Sequence, residues 1–437
     1  MTVICLLVIL IGELYFSHIT SKGVLLTPHF GFALSFIPQV MLACFYIAKW
    51  DLDLEIGTIM VISGGVFLFS IVSFLFCGKR PRQLIRSGVE HNTNEAGIEV
   101  DTWKLILMIA IQTGTILLCV KYLLSLSSGV SLGEAILYYR YTNLFAEDSF
   151  VIPSFVRMLR TFCVSSGFVF TYLLIHSYNY KDKVEKKFLL FNILLSVVND
   201  VIFGARTGIA ILGIAAVVQY YFIRGKKVGW RRAMPFKTLL KIVIGGFIFL
   251  GLFQAIAELM GRTLASDYTF MDYIAGYLSA ELRNLNSFIR IGKFGSTINN
   301  NQTLNGIIPF LSKVFGHPEW IHKLDLPFII EGGYNYGNVY TIFYAFIYDM
   351  GYGGLFVYIP IMAIFCAWMY KKVLKERIDN KISVNIIVYS YVYYTIIFSF
   401  FSDKFYETVV NTKFVWTIVS WLVLSWFFKL KIKIGKG

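Results

Sequence analysis

The sequence predicts an all-α polytopic integral membrane protein of about 11 transmembrane helices, with a helical cap on its outer side. Of its 437 residues, 57% are hydrophobic and only 15% are charged, whereas soluble proteins average about 45–50% apolar and about 25% charged residues. The apolar residues form separate runs of roughly 17–25, the length that crosses about 30 Å of hydrocarbon. Positive charge also alternates from loop to loop, as in multi-spanning proteins. A single soluble domain is therefore excluded.

Eleven apolar runs are candidate spans. They lie near residues 2–16, 30–48, 57–77, 105–124, 155–177, 188–203, 207–223, 239–257, 338–369, 383–402 and 414–428. The first run has no basic segment before it and no small-residue cleavage site after it, so we expect a retained helix rather than a signal peptide. The six cysteines lie in apolar runs without close pairs, which favours neither a disulfide framework nor a thiolate metal site.

Clusters of lysine and arginine mark the predicted cytoplasmic side. They occupy residues 79–86, 181–187, 224–241, 371–381 and 429–436. The net charge of +14 is thus a topology signal, and we expect no nucleic-acid partner. The N-terminus is then outside and the C-terminus inside. We expect one membrane domain over residues 1–437, with a large outer loop at 258–337 and a smaller one at 125–154.

The large outer loop has a helical pattern between Asp267 and Gly292. Apolar residues recur at spacings of three, four and seven, which predicts an amphipathic helix. The opposite face carries a polar stripe of Asp272, Ser279, Arg283, Asn286 and Arg290. Two interpretations stay open at this point: a solvated face on a helix at the membrane interface, or a cationic surface that binds an anionic head group.

Seven arginines lie on the predicted outer side: Arg140, Arg157, Arg160, Arg206, Arg262, Arg283 and Arg290. The planar guanidinium binds phosphate through two hydrogen bonds and stays charged when partly buried, so these residues are candidate phosphate ligands. Structural ion pairs between Glu258 and Arg262, and between Asp200 and Arg206, are the alternative. A polar stripe of Asn192, Ser196, Asn199 and Asp200 precedes Arg206 and needs interhelical partners or a wet cavity.

The end of the large loop, from Glu331 to Thr341, is rich in glycine, asparagine and tyrosine. Asparagines supply paired donors and acceptors, and tyrosines supply flat faces, so Tyr334, Asn335 and Asn338 are candidate sugar ligands. An ordinary interfacial belt would also contain tyrosines. The candidate general bases are Glu281, Glu331, Asp272 and His317, among which the glycines beside Glu331 favour that residue for substrate access.

Several other motifs carry no signal. The sequence has no phosphate-binding GxxxxGK[ST], no HExxH and no GxSxG. His317 and His322 lack neighbouring acids in helical register, and we interpret Asp51 and Asp53 as part of an acidic outer loop. We expect no metal and no cofactor.

The chain resembles the O-antigen polymerase (Wzy-type oligosaccharide repeat-unit polymerase) family. The resemblance covers the overall plan of spans with a large late outer loop. In local sequence it rests on Gly204-Ala-Arg206-Thr-Gly208, on Ser287-Phe-Ile-Arg290, and on Asn338-Val-Tyr-Thr341 followed by Asp349-Met-Gly351.

This resemblance implies a metal-independent glycosyltransferase of the bacterial inner membrane, with a helical periplasmic cap. The enzyme would join repeat units carried on undecaprenyl pyrophosphate at the periplasmic face, and a chain-length regulator protein would be a further partner. We expect Arg206, Arg290 and Glu331 to be catalytic. The expected substrate-binding residues are Arg157, Arg160, Arg283, Asn286, Tyr334, Asn335 and Asn338. An O-antigen ligase and a lipid-linked oligosaccharide flippase are the alternatives.

Overall fold

The computed structural model describes residues 1–21, 24–77, 97–125, 131–145, 152–204, 206–230, 233–259, 269–292, 294–332, 334–378 and 380–430. Within these ranges the helices are α1 (Thr2–Thr20), α2 (Pro28–Phe45), α3 (Ile47–Trp50), α4 (Ile56–Cys77), α5 (Thr102–Leu124), α6 (Leu132–Phe145), α7 (Ser154–Asn179), α8 (Lys186–Val201), α9 (Thr207–Val228), α10 (Phe236–Leu259), α11 (Phe270–Leu278), α12 (Ala280–Ile291), α13 (Ile308–Phe315), α14 (Ile342–Met350), α15 (Gly353–Lys375), α16 (Val384–Ile397), α17 (Lys404–Val409) and α18 (Thr412–Lys429). The strands β1 (Ile330–Glu331) and β2 (Tyr334–Asn335) form an antiparallel hairpin.

Seven of these helices are long and apolar enough to cross a membrane: α1, α2, α4, α5, α7, α9 and α15. The protein is therefore an all-α membrane protein, as the sequence predicted. The larger total of about 11 spans and the position of the cap outside the membrane stay predictions.

The chain forms two compact units. Unit 1 comprises Met1–Ile85, Leu264–Lys375 and Val392–Phe414, and unit 2 comprises Arg86–Thr263, Glu376–Tyr391 and Val415–Gly437. The predicted active-site residues are divided between the units: Arg283, Asn286, Arg290, Glu331, Tyr334, Asn335 and Asn338 belong to unit 1, and Arg157, Arg160 and Arg206 to unit 2.

Aromatic side chains fill the core of unit 1. The rings of Phe32 and Phe69 stack at 4.1 Å, and those of Phe36 and Phe343 stack at 5.4 Å. Phe343 also lies directly against Gly65, which lets α14 approach α4 closely. Lipid offers apolar contacts as well, so close packing of this kind holds membrane helices together better than burial alone.

The predicted span at 338–369 is wrong in its extent, because two helices occupy it. The helix α14 ends at Met350, and α15 begins at Gly353. Gly351 between them has a φ of +59°, a conformation that only glycine adopts without strain when ψ is extended. A run of apolar residues does not by itself reveal such a turn.

The predicted helix between Asp267 and Gly292 also consists of two. Thr269 and Asp272 form a reciprocal capping box that starts α11. This helix ends at Leu278 and α12 begins at Ala280, so that Ser279 caps both helices. The hydroxyl of Ser279 donates to the carbonyl of Gln39 at 2.8 Å. Asp272, Ser279 and Asn286 of the predicted polar stripe are at most 4% exposed. Most of that face therefore packs against other parts of unit 1 and is not solvated.

In unit 2, interhelical hydrogen bonds engage two asparagines of the polar stripe of α8. The Nε2 atom of Gln112 donates to Oδ1 of Asn192 at 2.8 Å, and Nδ2 of Asn199 donates to the carbonyl of Gln112 at 3.3 Å. Ser196 is buried with them. Of the two alternatives for this stripe, the structure therefore shows interhelical partners, and α5 and α8 are joined through polar contacts.

Candidate functional site

The loop between α3 and α4 lies along the predicted cationic face of α12. Asn286 holds it in place: its Oδ1 accepts from the Glu55 N–H at 2.8 Å and from the Thr58 hydroxyl at 2.7 Å, and its Nδ2 donates to the Asp53 carbonyl at 2.9 Å. Because both ends of the buried amide are engaged, Asn286 positions the loop in this structure.

Arg283 is the centre of the site in unit 1. Its Nη2 donates to Oε2 of Glu331 at 2.6 Å, and its guanidinium lies 3.9 Å from the centre of the Tyr336 ring. The side chain of Arg283 is only 12% exposed, whereas that of Glu331 is 57% exposed. The structure therefore brings together two predicted residues and fixes an accessible carboxylate on a buried cation.

The hairpin of β1 and β2 is anchored by a residue that the sequence did not indicate. Nδ2 of Asn284 donates to the carbonyls of Tyr336 at 3.0 Å and of Val339 at 2.9 Å. Asn335 at the hairpin is exposed and its Oδ1 accepts from the Gly337 N–H, while Asn338 is half-buried. Asparagine on an otherwise mixed helix face gave no distinctive pattern from which this role could be inferred.

A second cation lies against the same hairpin. Nζ of Lys49 is 2.6 Å from Oδ1 of Asp272 and 5.1 Å from the centre of the Tyr334 ring. Burial pushes the pKa of Asp272 upward, but hydrogen bonds from Lys49, Thr269 and Tyr46 outweigh it and hold the pKa below its ordinary value. Asp272 is therefore an ionised anchor and a poor general base. The bond to Asp272 in turn raises the pKa of Lys49.

Arg290 is the most accessible cation of α12. Its side chain is 63% exposed, and its Nε lies 3.6 Å from Oε1 of Glu55. Seven residues separate Arg290 from Arg283, so the two lie on one helix face roughly 10 Å apart along the axis. The acidic loop, interpreted from the sequence as a topology feature, thus packs beside the arginine face. Its opposite charge was the signal that could have predicted this contact.

The remaining candidate bases of unit 1 are less suited to the role. Glu281 is buried, and this burial raises the pKa of its carboxyl well above the ordinary value, against the smaller opposing effect of hydrogen bonds from its own backbone and Gln39. His317 is exposed, with Nδ1 2.8 Å from Oε1 of Glu319. Glu331 is the candidate that combines exposure with a contact to an arginine of α12.

Asp349, from one of the short motifs on which the predicted resemblance rests, organises a loop. Its carboxylate accepts hydrogen bonds from the Ser296 hydroxyl at 2.7 Å, the Gln302 N–H at 2.9 Å and the Thr303 N–H at 2.8 Å. These bonds hold the chain before α13 against the end of α14.

Within unit 2, Arg160 is engaged by the end of α8. Its Nε donates to the Asn199 carbonyl at 2.8 Å, its Nη2 donates to the Asp200 carbonyl at 2.9 Å, and the guanidinium lies 4.7 Å from the centre of the Phe203 ring. Free carbonyls and the helix dipole make a C-terminus attractive to cations. Arg160 therefore caps α8, a role distinct from the predicted ligand role.

The two other arginines of unit 2 differ in exposure. Arg206 is only 5% exposed and precedes the first residue of α9. Arg157 is exposed and donates to the Ser154 hydroxyl at 3.1 Å. Asp200 forms an ion pair with Arg160 at 3.4 Å, and its predicted pair with Arg206 stays a prediction. The predicted pair of Glu258 and Arg262 lies outside the residues whose side chains are described.

The chain matches no protein-family model, no curated protein and no solved structure. The chemistry of the site must therefore be inferred from its residues. The described residues of unit 1 present an accessible carboxylate, two arginines on one helix face and a tyrosine-rich hairpin, and these groups are suited to a ligand that combines hydroxyl groups with negative charge.

Proposed function

We propose that this protein is a polysaccharide repeat-unit polymerase, which transfers a glycan from undecaprenyl pyrophosphate to a lipid-linked acceptor repeat unit. The site would face the periplasm of the bacterial inner membrane. The proposal is supported by the resemblance in the three short motifs and by the site residues in unit 1. The observation that carries most weight is the ion pair of Arg283 and Glu331 beside the tyrosine hairpin.

The proposed reaction is a displacement at the anomeric carbon of the donor sugar. The acceptor hydroxyl oxygen forms the new bond to this carbon while the bond to the diphosphate oxygen breaks, and the diphosphate leaves with the electron pair. Glu331 takes the proton of the attacking hydroxyl. Its carboxylate is suited to this step because it is exposed and because Arg283 fixes its orientation.

The departing diphosphate needs stabilisation of its developing negative charge. Guanidinium groups supply this without a metal ion, since they present planar pairs of donors to phosphate oxygens. In unit 1 the accessible candidate is Arg290, which is 63% exposed. In unit 2, considered by itself, Arg157 is the exposed one among the predicted arginines, whereas Arg160 is bonded to backbone carbonyls and Arg206 is buried.

The test is a transfer assay with purified protein in lipid nanodiscs, lipid-linked repeat units and a metal chelator, followed by sizing of the lipid-linked products. We expect a ladder of longer glycans on undecaprenyl pyrophosphate from the wild type and its loss in Glu331→Gln. Glu319→Gln, at another exposed glutamate of unit 1 that is 56% exposed, is the matched control and should give the wild-type ladder.

Other outcomes would overturn the proposal. Product attached only to a lipid A core acceptor would assign a ligase, and movement of the lipid-linked unit across the bilayer without elongation would assign a flippase.

A further inference from the structure

Unit 1 contains a second polar site, a cavity of ≈ 410 Å³. Its walls come from the loop that leads into α13, from the start of α14 and from residues 401–411 around α17. This volume lies within the range of about 300–1,000 Å³ that is usual for small-molecule sites. The residues predicted to be catalytic do not line it.

Three residues of the wall have a buried polar atom that lacks a hydrogen-bond partner among the described residues. These atoms are Oγ1 of Thr341, Oγ of Ser402 and Oδ2 of Asp403. A buried polar group without a partner destabilises the fold, and folded proteins leave few of them. Together these atoms offer three hydrogen-bonding positions to a ligand that enters the cavity.

The local backbone explains why these groups are free. Thr341 precedes α14 and is only 1% exposed, yet its side chain makes no capping bond. Asp403 caps α17 through Oδ1, which accepts from the Tyr406 N–H at 3.1 Å, and this leaves Oδ2 over. Burial raises the pKa of Asp403 well above its ordinary value, which favours the neutral carboxyl, a group that can donate or accept a hydrogen bond.

An aromatic wall faces the same cavity. The rings of Tyr340 and Tyr344 stack at 4.2 Å. Their hydroxyls donate to the carbonyls of Pro327 at 3.0 Å and Asp325 at 2.5 Å, so the apolar ring surfaces are what remains for a ligand. Apolar ring surfaces beside polar groups suit a flat molecule that carries hydroxyls.

The charges in the wall favour a neutral ligand. Nζ of Lys404 lies 2.6 Å from Oε2 of Glu407, so these two side chains neutralise each other. The shape is also fixed, because Gly306 packs against the backbone of α17: a Cβ at this position would lie 2.8 Å from the Glu407 carbonyl oxygen. The wall is thus preformed and lacks excess charge for a phosphate or a carboxylate.

We propose that this cavity binds a neutral pyranose ring of a glycan, with hydrogen bonds from Thr341, Ser402 and Asp403 and with the ring packed on Tyr340 and Tyr344. The inference rests on the proposed function for the origin of the ring, which would belong to the glycan that is transferred. Binding is measured without transfer, so the two proposals can fail separately.

The test is saturation-transfer NMR with the full-length protein in lipid nanodiscs that are free of glycoside detergent. The probes are the methyl pyranosides of glucose, galactose, mannose and N-acetylglucosamine. We expect transfer to the ring protons of at least one probe. Thr341→Val and Ser402→Ala should each weaken binding about fivefold, as expected for the loss of one hydrogen bond. Their unfolding midpoints should stay unchanged or rise, because the lost hydroxyls have no partner in the described residues.

Thr115→Val in unit 2 is the matched control. Thr115 is also fully buried, but its hydroxyl donates to the Ile111 carbonyl at 2.8 Å and accepts from the Cys163 thiol at 3.3 Å. This variant should unfold at a lower temperature and keep pyranoside binding. Three results would overturn the inference: no signal from any of the four probes, equal binding by Thr341→Val and the wild type, or a lower unfolding midpoint for Thr341→Val. Binding without any glycan ladder in the transfer assay would instead refute the proposed function alone.

Discussion

Nη2 of Arg283 donates to Oε2 of Glu331 at 2.6 Å, and this ion pair joins α12 to the hairpin. The arginine is enclosed by Trp50 and Tyr336, while more than half of the glutamate is exposed. In the proposed reaction the two residues have separate tasks: the cation holds the position, and the carboxylate accepts the proton. The site in unit 1 is therefore built around a positioned acid.

Replacement of Arg283 by lysine should lower transfer although the charge is kept. Lysine lacks the planar guanidinium that stacks on Tyr336 and that donates from separate nitrogens to Glu331 and Trp50. We expect a fall of about tenfold or more in kcat for ladder formation, with a smaller change in KM. Arg377→Lys, at an exposed arginine of unit 2, is the control. An Arg283→Lys enzyme with wild-type kinetics would show that charge alone suffices.

The bonds of Asp272 should give unit 1 a measurable acid sensitivity. Its pKa is lowered in the folded state, so its contribution to stability is complete above the ordinary aspartate pKa of about 3.9 and is lost as the pH falls through the lowered value. Asp272→Asn should cost about 1–2 kcal/mol at pH 7, and its unfolding midpoint should approach that of the wild type below about pH 4.

Asp51→Asn is the control for this series, since Asp51 is exposed and has a φ of +47° that asparagine tolerates. A constant gap between wild type and Asp272→Asn at every pH would contradict the role given to Asp272.

Glu281 should produce the opposite pH dependence. Burial raises its folded pKa, so the unfolded chain loses its proton first, and the protein loses stability as the pH rises from about 4.3 through the raised value. Glu281→Gln should therefore be more stable than the wild type at pH 7. In a thermal shift assay, its unfolding midpoint should change less between pH 5 and pH 8 than that of the wild type. The exposed Glu185→Gln should leave the wild-type slope. A less stable Glu281→Gln would indicate that the carboxyl is charged and paired.

Arg157 and Arg160 should separate function from stability, although they lie one turn apart on α7. Arg160→Gln removes the cap of α8 and should lower the free energy of unfolding by about 1–2 kcal/mol. Arg157→Gln changes an exposed side chain and should alter stability by less than about 0.5 kcal/mol, while lowering the rate of ladder formation. Unfolding midpoints and product sizing on the same preparations give both values. Equal unfolding midpoints for the two variants would contradict the capping role.

The sequence predicted the helical class and many helix limits closely, as at 57–77 for α4 and at 155–177 for α7. Long apolar runs predict these limits because the backbone polar groups of a segment in lipid must form hydrogen bonds within the helix. It did not predict the break at Ser279 or the turn at Gly351, which depend on tertiary contacts and on one backbone angle. Periodicity placed Arg283, Asn286 and Arg290 on one face, but it could not show that the acidic loop covers Asn286.

The cavity beside Thr341 was also beyond the sequence. Its walls are joined by residues about 60 positions apart, such as Thr341 and Asp403, and Gly306 acquires its role only through contact with α17. No local sequence pattern predicts contacts between residues so far apart in the chain.

The central claim is that the unit 1 site faces outward, and labelling in intact cells tests it most directly. Single cysteines at the exposed Asn335 and at Lys183, whose side chain is 80% exposed, would be introduced into a protein without its six native cysteines. A membrane-impermeant maleimide should label residue 335 in intact cells and residue 183 only after permeabilisation. The reverse pattern would place the hairpin in the cytosol and contradict transfer at the outer face.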